Sequence, residues 1–380
     1  MRRLLLLVGA LVFVDTMLYS ALAPLLPHLT RELDLSKTRA GVLVAAYAAG
    51  ALLGGLPGGA AAARLGPRRA VLVGLTAMGL ASVGFAFASG FGGLFAARVL
   101  QGCGSAFTWA GSLTWLVATT PRERRGELLG AALGVAVFGA LFGPVVGVAA
   151  ALAGRGIVFG ALAGLALLLA GATLRLETMP AEHASGSALR QALGNRRFAG
   201  GLLLMALPSL LLGTVAVLAP LHLARVGWGA VSIGATWLCG AALEAVQAPL
   251  VGRLSDRRGR VLPVRIALLA AALLTLGLAA GSRPLLYVPL LVLATTAYGA
   301  LFTPAFALIA DGAEASGLAR GIAFGLMNAA WAVGALVGPA IGGAVAAVTG
   351  DWIPFLFGAG LCALALLAVR SSPRPTRAPS

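Results

Sequence analysis

The chain has 380 residues, of which 59% are hydrophobic and only 11% charged, and its mean hydropathy is +0.96. That composition excludes a soluble globular domain. It also leaves no hydrophilic module to carry a nucleic-acid-binding face, despite a formal charge of +16.

Apolar runs long enough to cross a hydrocarbon core of about 30 Å as helices recur along the whole sequence. They fall at 4–27, 39–61, 70–90, 92–118, 128–153, 157–174, 199–222, 230–251, 261–281, 285–309, 320–347 and 353–370. The runs are continuous rather than alternating, so the spans are helices and not the strands of a barrel. The predicted fold is an all-α membrane protein with twelve transmembrane helices in two six-helix pseudo-symmetric halves.

The first run has the basic start of a signal peptide, but it continues past Asp15 to Pro27 without a small-residue cleavage site and is read as span one. Asp15 lies about 16 Å into that span at 1.5 Å per residue, near the midplane. A carboxyl group at that depth is expensive to bury and is a candidate for binding a proton or a cation, with permanent pairing to a neighbouring helix as the alternative. Tyr19 follows it by one turn as candidate cavity lining. Arg98 in span four, with Gln101 one turn along, is a second buried charge. In span five Gly139, Gly143 and Gly147 share one helix face and permit close approach of another backbone. Pro144 predicts a bend near Ala140.

In the second part of the chain Glu244 sits in span eight, with Trp237 and Gln247 on its face. A carboxylate beside an indole is a plausible seat for an organic cation. Pairing of Glu244 with an arginine is the alternative. Asp256 and Asp311 lie at span ends and are read as gate elements. Span eleven carries Asn328 and Trp331 as cavity lining, followed by Gly334, Gly338, Pro339 and Gly342. Cys103, Cys239 and Cys362 all fall inside spans with no paired spacing and predict neither disulfides nor zinc. No motif for a metal, a nucleotide or another cofactor is present.

Three short patterns occur twice at offsets of 193 to 196: "LAPL" at Leu22 and Leu218, "GAAAARLGPRR" at Gly59 against "GRLSDRRGR" at Gly252, and "GALFGPVVG" at Gly139 against "GALVGPAIG" at Gly334. The chain is therefore divided into an N-terminal bundle (1–174), a polar linker (175–197), a C-terminal bundle (198–370) and a tail (371–380). An even number of spans per half makes the halves parallel repeats. Of the 28 basic residues, 21 lie on the side of the termini, six on the other side, and Arg98 lies within a span. The positive-inside rule then places both termini in the cytoplasm of a cell (inner) membrane protein.

These motifs identify a resemblance. The chain resembles a twelve-span member of the major facilitator superfamily, and within it the drug/proton antiporter family. The resemblance rests on the loop signature Gly252, Asp256, Arg257, Gly259 and Arg260, its copy Gly59, Arg64, Gly66, Arg68 and Arg69, "RVLQGCGSA" from Arg98, and "GALFGPVVG". "VDTMLYSALAPLLP" from Val14 and the stretch from Leu308 through span eleven resemble the vesicular amine transporter branch. The resemblance implies gating by the two loops, close helix packing around the span-five and span-eleven motifs, and modulation of proton transfer by Arg98. Two departures stand out: Ala63 replaces the acid of the first loop signature, and Asn328 replaces an acid of the amine branch.

The expected function is secondary active efflux of small organic molecules, cationic or lipophilic, driven by protons, with Asp15, Glu244 and Arg98 as coupling residues. Sodium as the coupling ion stays open. So do an uptake symporter or uniporter of the same fold and a non-transporting receptor. The partners implied are the substrate, the ion and the bilayer, and nothing in the sequence requires more than a monomer.

Overall fold

The computed structural model describes residues 2–120, 125–177, 187–259, 261–281, 284–318 and 320–371. Arg260, linker residues 178–186, tail residues 372–380 and the side chains of Ala63, Asp256 and Arg257 lie outside the described residues. The described helices are α1 (Arg2–Ser20), α2 (Leu22–Glu32), α3 (Lys37–Arg64), α4 (Pro67–Phe87), α5 (Phe91–Thr119), α6 (Arg125–Ala153) and α7 (Arg155–Leu174). A short α8 (Ser187–Gly194) in the linker precedes α9 (Arg196–Arg225), α10 (Ala230–Arg258), α11 (Val261–Ala280), α12 (Pro284–Ala315), α13 (Arg320–Thr349) and α14 (Trp352–Ser371).

The first span differs from the expected 4–27. It is broken after Ser20 and runs on to Glu32. Pro24 has no N–H for the carbonyl of Ser20, so the ladder lapses there. Beyond the break, Glu32 is held by Arg155 at 2.6 Å, which fixes the far end of α2 against α7. Taking α1 and α2 as one span, twelve long helices are present among the described residues. Eleven of them are long and apolar enough to cross a bilayer. The exception is α5, whose buried face carries Arg98, Gln101, Ser105, Thr108 and Ser112.

The packing repeats between the halves. In the first, α3 and α4 both pack on α5, α1 packs on α6, and α4 on α7. In the second, α10 and α11 pack on α12, α9 on α13, and α11 on α14. The peripheral helices α4, α7, α11 and α14 turn leucines such as Leu80, Leu168, Leu273 and Leu364 outward, as lipid contact requires. The loop signature turns the chain between α3 and α4 and between α10 and α11 on Gly66 and Gly259, which adopt φ of 87° and 81°, a region open to glycine at no steric cost.

The repeated nonapeptide makes corresponding contacts in both halves. A Cβ at Gly143 would lie 2.7 Å from Ser20 Cβ, and one at Gly338 would lie 3.0 Å from Leu210 Cα. Only glycine lets α6 approach α1, and α13 approach α9, this closely. Hydroxyls reinforce both crossings. Thr16 donates to Ala136 O at 2.8 Å, Ser20 to Ala140 O at 3.1 Å, and Thr214 to Gly338 O at 3.1 Å. The Ser20 bond serves the carbonyl that Pro144 leaves without its i+4 donor. The helix itself runs through Pro144 without interruption.

The halves meet through the same two prolines. The backbone around Pro339 and Gly343 lies against Gly41 of α3, and Pro144 and Val148 of α6 lie against Gly234 of α10. These contacts lie toward the face of the bundle opposite the termini. Toward the terminal face, Leu53 and Leu56 of α3 are 67% and 86% exposed, and Gly325 of α13 has nothing within 4 Å of a Cβ position. The described contacts between the prolines and their partner glycines thus close the bundle at the face opposite the termini.

Candidate functional site

Asp15 is 2% exposed and central to a polar cluster in the first half. Its carboxylate accepts hydrogen bonds from the Tyr47 hydroxyl at 3.1 Å, the Ser105 hydroxyl at 3.0 Å and the Trp109 indole N–H at 2.7 Å. Tyr47 and Ser105 are themselves 2.8 Å apart. Two of the three donors come from α5 and one from α3, so the acid of α1 is held by two other helices. Of the three, Trp109 is only partly buried. It is the donor that joins the carboxylate to the space outside the cluster.

Arg98 is brought beside this cluster without an ion pair to Asp15 among the described residues. Its guanidinium lies 5.0 Å from the Tyr47 ring centroid and donates to Gln101 Oε1 at 2.5 Å. It also donates to Leu18 O at 3.2 Å and Tyr19 O at 3.4 Å. Those carbonyls belong to the last turn of α1 before the break at Ser20. A planar cation with five donors suits that task better than an ammonium would. Arg98 thus ties α5 to α1, and the cation–π contact with Tyr47 offsets part of the cost of burying it.

Tyr19 extends the cluster toward the second half. Its ring lies 5.0 Å from that of Tyr47, tilted by 50°, and meets Trp331 of α13 edge-on at 5.1 Å. Asn328, one turn before Trp331, is half-buried and makes no hydrogen bond among the described residues. Asp15, Tyr19, Arg98 and Gln101 form one constellation, with Trp331 joined to it through Tyr19.

Glu244 stands apart from it. Its carboxylate packs against Gly299 of α12, where any side chain would collide with it. Among the described residues it makes no ion pair and no hydrogen bond. Gln247 donates to Thr296 O of the same helix. The Trp237 indole N–H is buried without a partner among the described residues. Glu244 and Gln247 of α10 both turn toward α12.

The loop residues play unequal parts. Arg68 donates to Leu174 O at 2.7 Å and so caps the C-terminus of α7. In the second half Arg265 of α11 makes a similar contact, donating to Val369 O near the end of α14 at 3.2 Å. Arg64 and Arg69 are exposed, Gly59 has nothing within 4 Å of a Cβ position, and Gly252 faces Thr303. Asp311 is half-buried in α12. Sequence reasoning missed Tyr47, Ser105 and Trp109. The signal for two of them was present, since Ser105 and Trp109 continue the face begun by Arg98 and Gln101 at helical spacing.

Comparison with known proteins bears on both fold and site. The family model described as Major Facilitator Superfamily matches residues 8–323. The "Probable vesicular acetylcholine transporter-B" of Danio rerio is 37% identical over 154 residues, which is 38% of this chain and 31% of that protein. The vesicular acetylcholine transporter of Homo sapiens is 43% identical over 75 residues, covering 20% and 14% of the two chains. The match thus spans a third or less of these relatives' own length. Among solved structures, a D-xylose-proton symporter superposes with a TM-score of 0.75 at 16% identity, over 97% of this chain and 96% of that one. The nucleoside transporter NupG (D323A mutant) does so with 0.74 at 15%, over 97% and 99%. At such identities the likeness speaks to the fold.

Proposed function

The chain belongs to the Major Facilitator Superfamily, and we propose that it is a secondary transporter that exports small organic cations across the cell membrane in exchange for protons. The observation that carries this reading is the buried carboxylate of Asp15, held by three donors and connected through Tyr47 and Tyr19 to the aromatic contact with Trp331. Names of relatives support it: several of the curated ones are vesicular acetylcholine transporters, acetylcholine being a quaternary cation, and a structural neighbour is a D-xylose-proton symporter. Bundles 1–174 and 198–370 would rock about their interface, joined by linker 175–197, with the terminal face in the cytoplasm. Asp15, and Glu244 in the other half, exchange a proton for the substrate's positive charge. Competition for shared acids suffices for coupling, because each ligand shifts the two-state equilibrium by its differential affinity alone. Arg98 holds α1 and the Tyr47 ring in place. Arg64, Arg69, Asp256, Arg257, Arg260 and Asp311 form the cytoplasmic gate. A single chain contains the whole cycle.

The test is proton flux in liposomes with a trapped pH dye, a panel of organic cations and neutral compounds, and the variants Asp15→Asn and Glu244→Gln. Cation-triggered proton release from the side of higher acidity, lost in the variants, is the expected result. Intact proton-driven transport after both acids are neutralised would falsify the assignment. The likeness to a D-xylose-proton symporter favours uptake as the second reading. It predicts the opposite sign, with substrate and protons moving together.

A further inference from the structure

At the closed face, opposite the termini, Asp351 stands between α13 and α14 with both carboxylate oxygens engaged. Oδ1 accepts from Lys37 Nζ at 2.5 Å, and Oδ2 accepts from the guanidinium of Arg225. Lys37 opens α3 and also reaches Ala346 O of α13 at 3.5 Å. Arg225 closes α9. Lys37 therefore belongs to the first half, whereas Asp351 and Arg225 belong to the second. One turn below Lys37, a Cβ on Gly343 would lie 3.1 Å from Gly41 Cα, so the ion pair sits on top of a close backbone approach between the halves.

We propose that Asp351 is a gate residue that holds this face shut by sharing its carboxylate between Lys37 across the interface and Arg225 within its own half. Two features make the contact reversible rather than a fixed staple. The side chains of Lys37 and Asp351 are 23% and 17% exposed, so water is at hand when they part. Arg225 keeps Asp351 paired after Lys37 leaves, and the Lys37 ammonium, on a side chain already 23% exposed, passes to water. Lys37 and Arg225 therefore compete for one acid, and the two cations act on the gate with opposite sign. This inference rests on the rocking of the two halves and is independent of substrate and coupling ion.

The test uses the full-length protein in nanodiscs, with Cys103, Cys239 and Cys362 replaced and spin labels introduced at Arg31 and Val348, both exposed near the closed face. Pulsed electron–electron distance distributions report opening without any substrate or gradient. Lys37→Gln is expected to raise the long-distance population about fivefold, the equivalent of an ion pair of about 1 kcal/mol. Arg225→Gln is expected to lower it, because Asp351 then has Lys37 alone. Lys37→Arg should keep the wild-type distribution and shows that the site tolerates substitution. Equal distributions for wild type and Lys37→Gln, or shifts of the same sign for Lys37→Gln and Arg225→Gln, would overturn the assignment. Such a failure would leave the transport measurements untouched.

Discussion

Replacing Ser20 by alanine removes one hydroxyl, and its cost depends on a residue in another helix. Ser20 Oγ lies 2.9 Å from Thr16 O and 3.1 Å from Ala140 O, so a single proton is shared between its own helix and α6. The Thr16 carbonyl has a backbone donor in the helix ladder. The Ala140 carbonyl has none, because residue 144 is proline. Interhelical hydrogen bonds in membranes contribute about 0.6 kcal/mol on average and up to about 1.7 kcal/mol. With no alternative donor for Ala140, Ser20→Ala should cost about 1 kcal/mol. In a Pro144→Ala background the restored N–H serves that carbonyl, and Ser20→Ala should become nearly neutral. Reversible unfolding of wild type, both single variants and the double variant in bicelles measures the coupling directly. A coupling near 1 kcal/mol supports the reasoning, and additivity within about 0.3 kcal/mol refutes it.

Gly143→Ala drives a methyl group to within 2.8 Å of Met17 O and should destabilise by about 1–3 kcal/mol. Gly160→Ala, with open space at that position, should gain up to about 1 kcal/mol in the same unfolding assay. Trp109→Phe keeps an aromatic ring but deletes the 2.7 Å donor to Asp15. A hydrogen bond to a charged group contributes about 1.5–3 kcal/mol, so cation-driven proton flux should fall about tenfold or more, and unchanged flux would remove Trp109 from the site. Arg68→Ala and Arg265→Ala should each cost about 0.3–1 kcal/mol through loss of a helix C-cap. Faster amide exchange confined to the last turns of α7 and α14 would confirm where the loss is felt.

Much of the architecture was legible because the bilayer imposes a simple length rule, and because the two halves repeat their turn and packing motifs. The burial of Asp15 and Arg98 was legible too, since a charge in an apolar run has few other places to be. Their partners were harder to read. Tyr47 is an isolated hydroxyl in a span of glycine and alanine, and only the crossing of α3 over α5 brings it to Asp15. Glu244 shows the limit of facial reasoning, because its neighbour is Gly299, a residue with no side chain to announce a contact. The Asp351 cluster joins residues 314 and 126 positions apart, and nothing in local spacing marks them as neighbours.

The polarity of α5 bears on how the protein is made. The helix that holds Asp15 in place, through Ser105 and Trp109, also carries a buried arginine and a row of polar side chains, which oppose its entry into a bilayer by itself. An arginine at a helix centre opposes insertion by about 2.5–3.5 kcal/mol on translocon scales, an upper bound for Arg98, which lies seven residues into α5. Its lateral partners α3 and α4 precede it in synthesis, and α3 supplies the ring that covers Arg98. Membrane integration of α5 is thus expected to wait on helices already in place, so the first half is assembled around its polar site during biogenesis rather than acquiring that site afterwards.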